Sequence, residues 1–322
     1  MPDATLPLGD AGLVPTDPAM LIQILDRVVE LAWEPGWAPL ALSHLVTLCS
    51  HLRGSQDDAG WAAIRETLLA HPIRRLMHED PLLRHSFETG GQDEPGMLDI
   101  LLEHPAAAER IAEVSRAGLD LAAATAELGH FAALKAESRY FARVVDATVE
   151  RCRGAELMTL GAGHLREAGL VTQRSSILRW VAQEREPQTL AVLRQGVPCD
   201  LRVRGLRCGV VSFIRRPFMR GCFDLILIPR LPDDVPAKQM REFLDAAFAA
   251  VKPGGLLMLS SPAEAPPEAA WMDAFMRMRP RWRTPDEVLD LLSAVPMKGV
   301  AGRRVFRSPN GRRIYAMLER RR

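Results

Sequence analysis

"ELMTLGAGHLREAGL", residues 156–170, decides how the second half of the chain folds. Leu157, Met158, Thr159 and Leu160 make a short apolar run that reads as a buried strand, and His164 to Ala168 reads as the helix after it. Between them stands Gly161-Ala162-Gly163. Glycines permit a tight turn there, and free N–H groups at a helix start can face the polar atoms of a nucleotide-like ligand. A bare connection uses the same turn, so the ligand reading needs a second mark.

The second mark lies on the next apolar run. Ile177–Ala182 reads as strand two and runs into Gln183-Glu184-Arg185-Glu186-Pro187. Glu184 stands 23 positions beyond Gly161. In a doubly wound sheet that is about where an acid ending the second strand meets ribose hydroxyls. One carboxylate accepts from both hydroxyls of a nucleoside. A solvated acid closing a strand is the plainer alternative; the turn and the spacing together favour a nucleoside.

Working outward, further strand-like runs lie at Leu201–Val211, Leu225–Ile228 and Leu256–Leu259, with helical stretches at Pro187–Leu193, Ala237–Val251 and Pro285–Ala294. Strands alternating with helices imply a parallel sheet covered on both faces. The end differs: Arg303–Arg307, a turn at Ser308-Pro309-Asn310-Gly311, and Arg312–Leu318 read as an antiparallel hairpin. Residues 1–150 hold no convincing strand. Their first 17 are rich in Pro, Gly and Asp and read as a flexible N-terminus. Asp17-Pro18 then suits a cap and first turn, followed by a stripe of Leu21, Ile24, Leu25, Val28, Val29 and Leu31. Helices are expected over Leu40–Leu52, Trp61–Ala70, Ile73–Met77 and Pro81–Ser86, a loop over "FETGGQDEPG" at 87–96, then helices over Met97–Leu102, Ala106–Ala117 and Leu119–Arg151 with breaks.

Charge divides at the same place. Residues 1–150 carry 11 Lys+Arg against 23 Asp+Glu, and residues 151–322 carry 30 against 17, although the whole chain is only +1. The expected organisation is therefore an α-helical N-terminal or cap domain over 18–150 and a basic sheet domain over 151–322. Two complementary domains docked on each other explain the division at least as well as an anionic ligand does. The arginines are dispersed and aromatics are few, which speaks against nucleic acid. An apolar content of 48% suits a globular core. No apolar stretch is long enough to span a bilayer, and Pro7, Asp10 and Pro15 interrupt the N-terminus, so neither a membrane span nor a secretory leader is expected.

Cys49, Cys152, Cys199, Cys208 and Cys222 form an odd set without a CxxC pair, as in a reduced cytoplasmic protein. His44 and His51 stand seven apart, as do His71, His78 and His85. On a helix that spacing is about 10 Å, too far to share a metal ion, so no metal is expected.

With these residues in view, the last 170 resemble class I S-adenosylmethionine-dependent methyltransferases. "LGAGHLREA" is similar to their glycine motif, "VAQEREPQTL" to the strand-two acid and the helix after it, "FDLILIPRLPDDVP" to strand four and the acceptor-side loop, and "VKPGGLLMLSSP" to the turn into strand five. The hairpin matches their antiparallel seventh strand. Within that superfamily the chain most resembles bacterial methyltransferases of extracellular-factor 3-hydroxypalmitic acid methyl ester biosynthesis. That likeness covers about residues 71–322 through "HPIRRLMHEDPLLRHSF", "ESRYFARVVDATVE", "MDAFMRM", "RTPDEVLDLLSAVP" and "VFRSPNGRRIYAMLERR". Three departures stand out. "TGGQDEPGMLD" at 89–99 replaces an "RGYAGD"-like stretch, Pro229–Pro236 lacks the tyrosines of a "GLYDYLPD"-like loop, and Ser212 stands where an acid is expected near the adenine.

The resemblance implies a Rossmann-like, mostly parallel seven-stranded sheet with a C-terminal antiparallel hairpin behind a helical N-terminal domain. It implies S-adenosylmethionine as cofactor, with Gly161, Ala162 and Gly163 at the methionine portion, Glu184 at the ribose and Arg185 among the cofactor-binding residues. Val211, Ser212 and Phe213 would flank the adenine, while Arg139 and Tyr140 would reach the cofactor's carboxylate and sulfonium. Phe213 reads equally well as core, and Arg139 and Tyr140 as helix-surface packing. Arg230 would pair with an anionic acceptor, though it reads equally well as a solvated loop arginine. His164 or Asp234 would serve as base for a hydroxyl or amine acceptor, though His164 reads more readily as a turn residue bonded to backbone. The expected enzyme is a cytoplasmic methyltransferase of bacterial secondary metabolism acting on a small molecule, for which a homodimer is one compatible assembly. Two other classes remain: an enzyme that uses the cofactor's aminocarboxypropyl arm, as in an intramolecular cyclisation, and a non-catalytic cofactor-binding protein.

Overall fold

The computed structural model describes residues 18–34, 36–112, 114–216 and 219–322. The N-terminal 17 residues, and Asp17 as a cap, lie outside the described residues. The chain divides into two compact units, Met1–Ala132 with Ala265–Arg279, and Ala133–Glu264 with Pro280–Arg322. Among the described residues no helix is long and apolar enough to cross a membrane.

The first unit is helical throughout its described residues: α1 (Pro18–Trp33), α2 (Ala38–Gly54), α3 (Asp58–Ala70), α4 (Ile73–Met77), α5 (Pro81–Glu88), α6 (Glu94–Leu101), α7 (Ala108–Ala112), α8 (Arg116–Glu127), the start of α9 (Gly129–Arg151), and α14 (Ala269–Met276). The α1 stripe buries Leu21, Ile24, Leu25 and Val28. Short polar side chains set the boundaries. Asp57, Asp80, Asp93 and Ser115 each accept a backbone N–H at the start of α3, α5, α6 and α8, satisfying donors that no helical carbonyl can reach. The expected loop at 87–96 is shorter for this reason: α5 persists to Glu88, and Asp93 starts α6 with Pro95 in its first turn. The run expected over Ala106–Ala117 is broken, because Ser115 caps a separate α8. Asp273 of α14 accepts from Trp61 Nε1 at 2.7 Å and Arg65 at 2.8 Å.

The second unit is built on a seven-stranded sheet: β1 (Ala155–Leu160), β2 (Ile177–Glu184), β3 (Val203–Arg207), β4 (Phe223–Ile228), β5 (Val251–Pro262), β6 (Val300–Arg307) and β7 (Arg313–Arg320). Strand order is β3-β2-β1-β4-β5-β7-β6. Strands β1 to β5 pair in parallel, and β7 lies antiparallel between β5 and β6. This is the mostly parallel sheet with an antiparallel C-terminal hairpin that the sequence reading expected. Order reverses beside β1, so crossovers leave a crevice outside the carboxyl ends of β1 and β4. Its helices are the rest of α9, α10 (Glu167–Leu170), α11 (Pro187–Gly196), α12 (Val210–Ile214), α13 (Ala237–Ala250) and α15 (Pro285–Leu292). One apolar layer joins α9 to the sheet through Phe141, Val145 and Trp180; the other joins α12, α13 and α15 through Phe213, Phe243 and Val288.

Several boundaries differ from the sequence reading, three of them in kind. The helix after β1 begins at Glu167 rather than His164, since Leu165 takes φ 54°, a left-handed conformation that no helix continues. Strand three ends at Arg207, and Val210–Ile214 forms α12. Lys252-Pro253-Gly254-Gly255 does not precede strand five but bulges within it: Val251 pairs with Phe223 and Leu256 with Leu225. A side chain at Gly255 would meet the Asp224 carbonyl, and Lys252 Nζ binds Glu156 and Asp224, both at 2.8 Å.

Candidate active site

The glycine turn lies at the carboxyl end of β1, against the end of β2. Gly161 and Gly163 take φ 69° and 52°, values that a Cβ disfavours. Their N–H groups are not free, as the sequence alone suggested. Gly161 donates to Gln183 Oε1 at 3.0 Å, Ala162 to the Gln183 carbonyl at 2.9 Å, and Gly163 to Glu184 Oε2 at 3.0 Å. The Gln183 amide also donates to the Cys208 carbonyl. One side chain therefore ties the ends of β1, β2 and β3 together.

Glu184 is half-buried, and its other oxygen accepts the Arg185 N–H at 2.6 Å. A carboxylate offers about four acceptor positions, so these bonds leave capacity for hydroxyl donors. A Cβ built on Gly161 or on Gly209, beyond β3, meets nothing within 4 Å. Open space thus adjoins a half-exposed carboxylate at the crossover of the sheet, and this arrangement fits a nucleoside cofactor in outline. Val211 and Ser212 are exposed on α12 beside it. Phe213 points the other way, buried edge-on against Phe243, its ring centroid 5.6 Å away. Tyr140 packs its ring on Tyr315 and Phe306 of the hairpin, at 4.9 and 6.4 Å, and Arg139 is exposed on α9. His164 is buried in the turn.

At the ends of β4 and β5, charge converges. Arg230 donates to Asp233 at 2.6 Å, and the same carboxylate takes Arg283 Nη1 at 3.4 Å. Arg283 Nη1 also reaches Ser261 Oγ at 3.1 Å. Asp234 instead pairs with Arg185 at 3.1 Å. Behind them Arg313 grips Glu137 through Nε at 2.9 Å and Nη2 at 2.6 Å, with Ser260 Oγ donating to the same carboxylate. Burial pushes Glu137 upward in pKa, and the charge and hydrogen bonds of Arg313, with the Ser260 hydroxyl, oppose it. Glu167, first residue of α10, is buried, and its Oε1 has no hydrogen-bond partner among the described residues. Burial, then the nearby Glu137 charge, raise its pKa to about 7. The sequence reading missed Glu137, Glu167, Arg283 and Arg313. No local signal marked them: Glu137 lies within α9, Glu167 opens α10, Arg283 precedes α15 and Arg313 begins β7.

No family model matches the chain, and no curated protein does. Among solved structures it is similar to a possible exported protein from Bordetella parapertussis, at 12% identity over 95% of this chain and 100% of that one, with a TM-score of 0.56. It also aligns with the methyltransferase SibL, at 16% identity over 95% and 96% with a TM-score of 0.45. Human N-acetylserotonin methyltransferase in complex with S-adenosylmethionine aligns at 15% over 74% and 66%, with a TM-score of 0.44. At these identities the likeness is one of fold.

Proposed function

We propose that the chain is an S-adenosylmethionine-dependent methyltransferase acting on a small anionic metabolite through a carboxylate or hydroxyl oxygen. One observation carries this reading: Gly161–Gly163 and Glu184 meet, hydrogen-bonded, beside open space at the crossover of a β3-β2-β1-β4-β5-β7-β6 sheet. Glu184 would hold the ribose hydroxyls, the glycine turn would let the methionine portion approach the backbone, and Val211 and Ser212 would flank the adenine. When bound, the cofactor supplies a methyl group on a sulfonium, open to in-line displacement by an acceptor oxygen.

The chain's own contribution is then chiefly placement, the larger part of what such a displacement needs. Arg230, one-third exposed at the end of β4, would orient an acceptor anion. A carboxylate acceptor is ionised near neutral pH and needs no base. A hydroxyl acceptor would pass its proton to Asp234, which is exposed after β4 and paired with Arg185, or to His164, which is buried. Incubation with S-adenosylmethionine and a cell extract, read by mass spectrometry, tests the reaction class. S-adenosylhomocysteine is the expected nucleoside product. Methylthioadenosine would move the reaction to the aminocarboxypropyl arm, and neither product would leave a binding protein. Once an acceptor is known, Arg230→Ala is expected to lower turnover with little change in cofactor affinity, and Arg230→Lys to restore only part of it.

A further inference from the structure

A groove of about 350 Å³ opens between the first turns of α13 and α15. That volume is within the range of small-molecule sites. Val235, Met240 and Leu291 give it an apolar wall, and Arg281, Arg283 and Asp286 stand around it. Neither the glycine turn nor Arg230 lines it.

Arg283 is the unusual member. Its side chain is 3% exposed, and its backbone N–H is fixed on the Pro262 carbonyl at 3.2 Å. All of its side-chain bonds among the described residues leave from Nη1, to Asp233, Ser261 and the Arg281 carbonyl. Nε and Nη2 have no acceptor there, although a guanidinium presents five N–H donors. Asp233 is also shared with Arg230, so it neutralises Arg283 only in part. Burial pushes the Arg283 pKa down from its ordinary value, the cost that a second carboxylate would relieve.

The groove's carboxylates differ in availability. Glu287 Oε2 accepts the Thr284 N–H in a capping box, and Asp290 pairs with Arg241 at 2.5 Å. Asp286 has no partner among the described residues, on the same first turn. A simple anion entering the groove would meet Arg283 but also these three acids. A simple cation would meet two arginines. A ligand with both charges is matched at both ends.

We propose that this groove binds a small zwitterion of the α-amino-acid type, its carboxylate on the Nε/Nη2 edge of Arg283, its ammonium on Asp286 and its side chain on Met240 and Leu291. Such two-point recognition uses the planar fork of arginine for the carboxylate. Arg283 shares Asp233 with Arg230, but neither Arg230 nor the glycine turn lines the groove, so binding there is tested without cofactor. L-leucine is the probe, with 4-methylpentanoate and isopentylamine as its single-charge counterparts, each titrated into the full chain by calorimetry or ligand-observed NMR. Leucine is expected to bind at least tenfold more tightly than either. Asp286→Asn, at an exposed position, should remove most of that advantage, weakening leucine while 4-methylpentanoate binds no more weakly than before. Arg283→Lys should weaken leucine and 4-methylpentanoate together. Equal affinity for leucine and 4-methylpentanoate, no leucine binding, or an Asp286→Asn variant with unchanged selectivity overturns the proposal. None of these results bears on whether S-adenosylmethionine yields S-adenosylhomocysteine, so the two readings fail separately.

Discussion

The carboxyl edge of the sheet is built in two ways. At the ends of β1 and β2, neighbouring backbone N–H groups are closed by Gln183 and Glu184, the two residues that finish β2. At the ends of β4 and β5, charges come from far apart in the chain: Glu137 on α9, Arg230 and Asp233 after β4, Arg283 before α15 and Arg313 at the start of β7. The first arrangement is short-range and bordered by open space. The second is held by ion pairs, with Arg283, Arg313 and Glu137 buried and Arg230 and Asp233 partly exposed. Uncharged partners and a half-exposed acid give a cradle that a ligand can enter at little desolvation cost, whereas buried ion pairs resist any change that removes one member.

The largest expected effect therefore falls on the second arrangement. Arg313 is 1% exposed and its partner Glu137 6%. Arg313→Met would leave a buried carboxylate uncompensated and should cost about 3–5 kcal/mol of stability. Glu137→Leu combined with Arg313→Met should recover most of the loss. Urea unfolding at neutral pH measures both. A single variant costing under about 1 kcal/mol would mean that the pair is effectively solvated, and the contrast between the two ends would collapse.

A pH dependence sharpens the same contrast. Glu167 has its pKa raised from 4.5 to about 7 by burial and by the Glu137 charge, and Asp80 in the helical unit is raised from 3.8 to about 6 by burial. Both acids hold their protons more tightly in the folded chain than in the unfolded one. Stability is then fully present below the unfolded values and falls as pH rises, between about 4.5 and 7 for Glu167. The loss is about 3 kcal/mol for that residue, at about 1.4 kcal/mol per unit. Glu167→Gln should flatten the fall between pH 5 and 8, and Asp80→Asn should flatten its lower part. A melting temperature equally pH-dependent in wild type and Glu167→Gln would mean that Glu167 titrates as a solvated acid.

The two ends also differ in how far the sequence discloses them. Gly161, Gly163 and Glu184 were legible because strand, turn and acid recur at spacings that one crossover fixes. A parallel sheet covered by helices followed from the alternating apolar runs and its antiparallel end from the terminal hairpin, whereas the seven-stranded type came only through the resemblance. Glu137–Arg313 was not legible, because 176 positions separate its members and neither residue type announces burial. Phe213 shows the limit at close range. Val211 and Ser212 face solvent while Phe213 faces Phe243, because α12 is a helix where the sequence suggested a strand end, and helical residues one and two apart point apart. Tyr140 likewise meets Tyr315, a partner that only the antiparallel hairpin delivers.

At the first end, Glu184 gives a smaller effect. Glu184→Ala should weaken S-adenosylmethionine binding by about 1–3 kcal/mol, the scale of hydrogen bonds to a charged group. It also removes the acceptor of the Gly163 N–H. Glu184→Gln keeps an acceptor for Gly163 and should fall between the two. Calorimetry on folded variants measures this series, and unchanged affinity in Glu184→Ala would take the residue out of the site.

The smallest expected effect tests what lies across the turn. Arg185 follows β2 and Asp234 follows β4, so their 3.1 Å ion pair spans the carboxyl end of β1, which lies between those strands. The side chains are 67% and 68% exposed. A pair so exposed is screened by water and salt and contributes at most about 1 kcal/mol. Arg185→Ala should therefore change urea-unfolding stability by less than that amount, against several kcal/mol for Arg313→Met at the other end. Its effect on cofactor affinity separates two roles. A ribose contact made by Arg185 would be lost in Arg185→Ala and kept in Asp234→Ala. A strap across the cradle would be released equally by either variant, with association faster in both and the difference from wild type shrinking as salt rises. Stopped-flow binding at two ionic strengths distinguishes these outcomes. Because the strap reading requires the two variants to behave alike, slower association in Arg185→Ala alone would return Arg185 to the cofactor's own contacts.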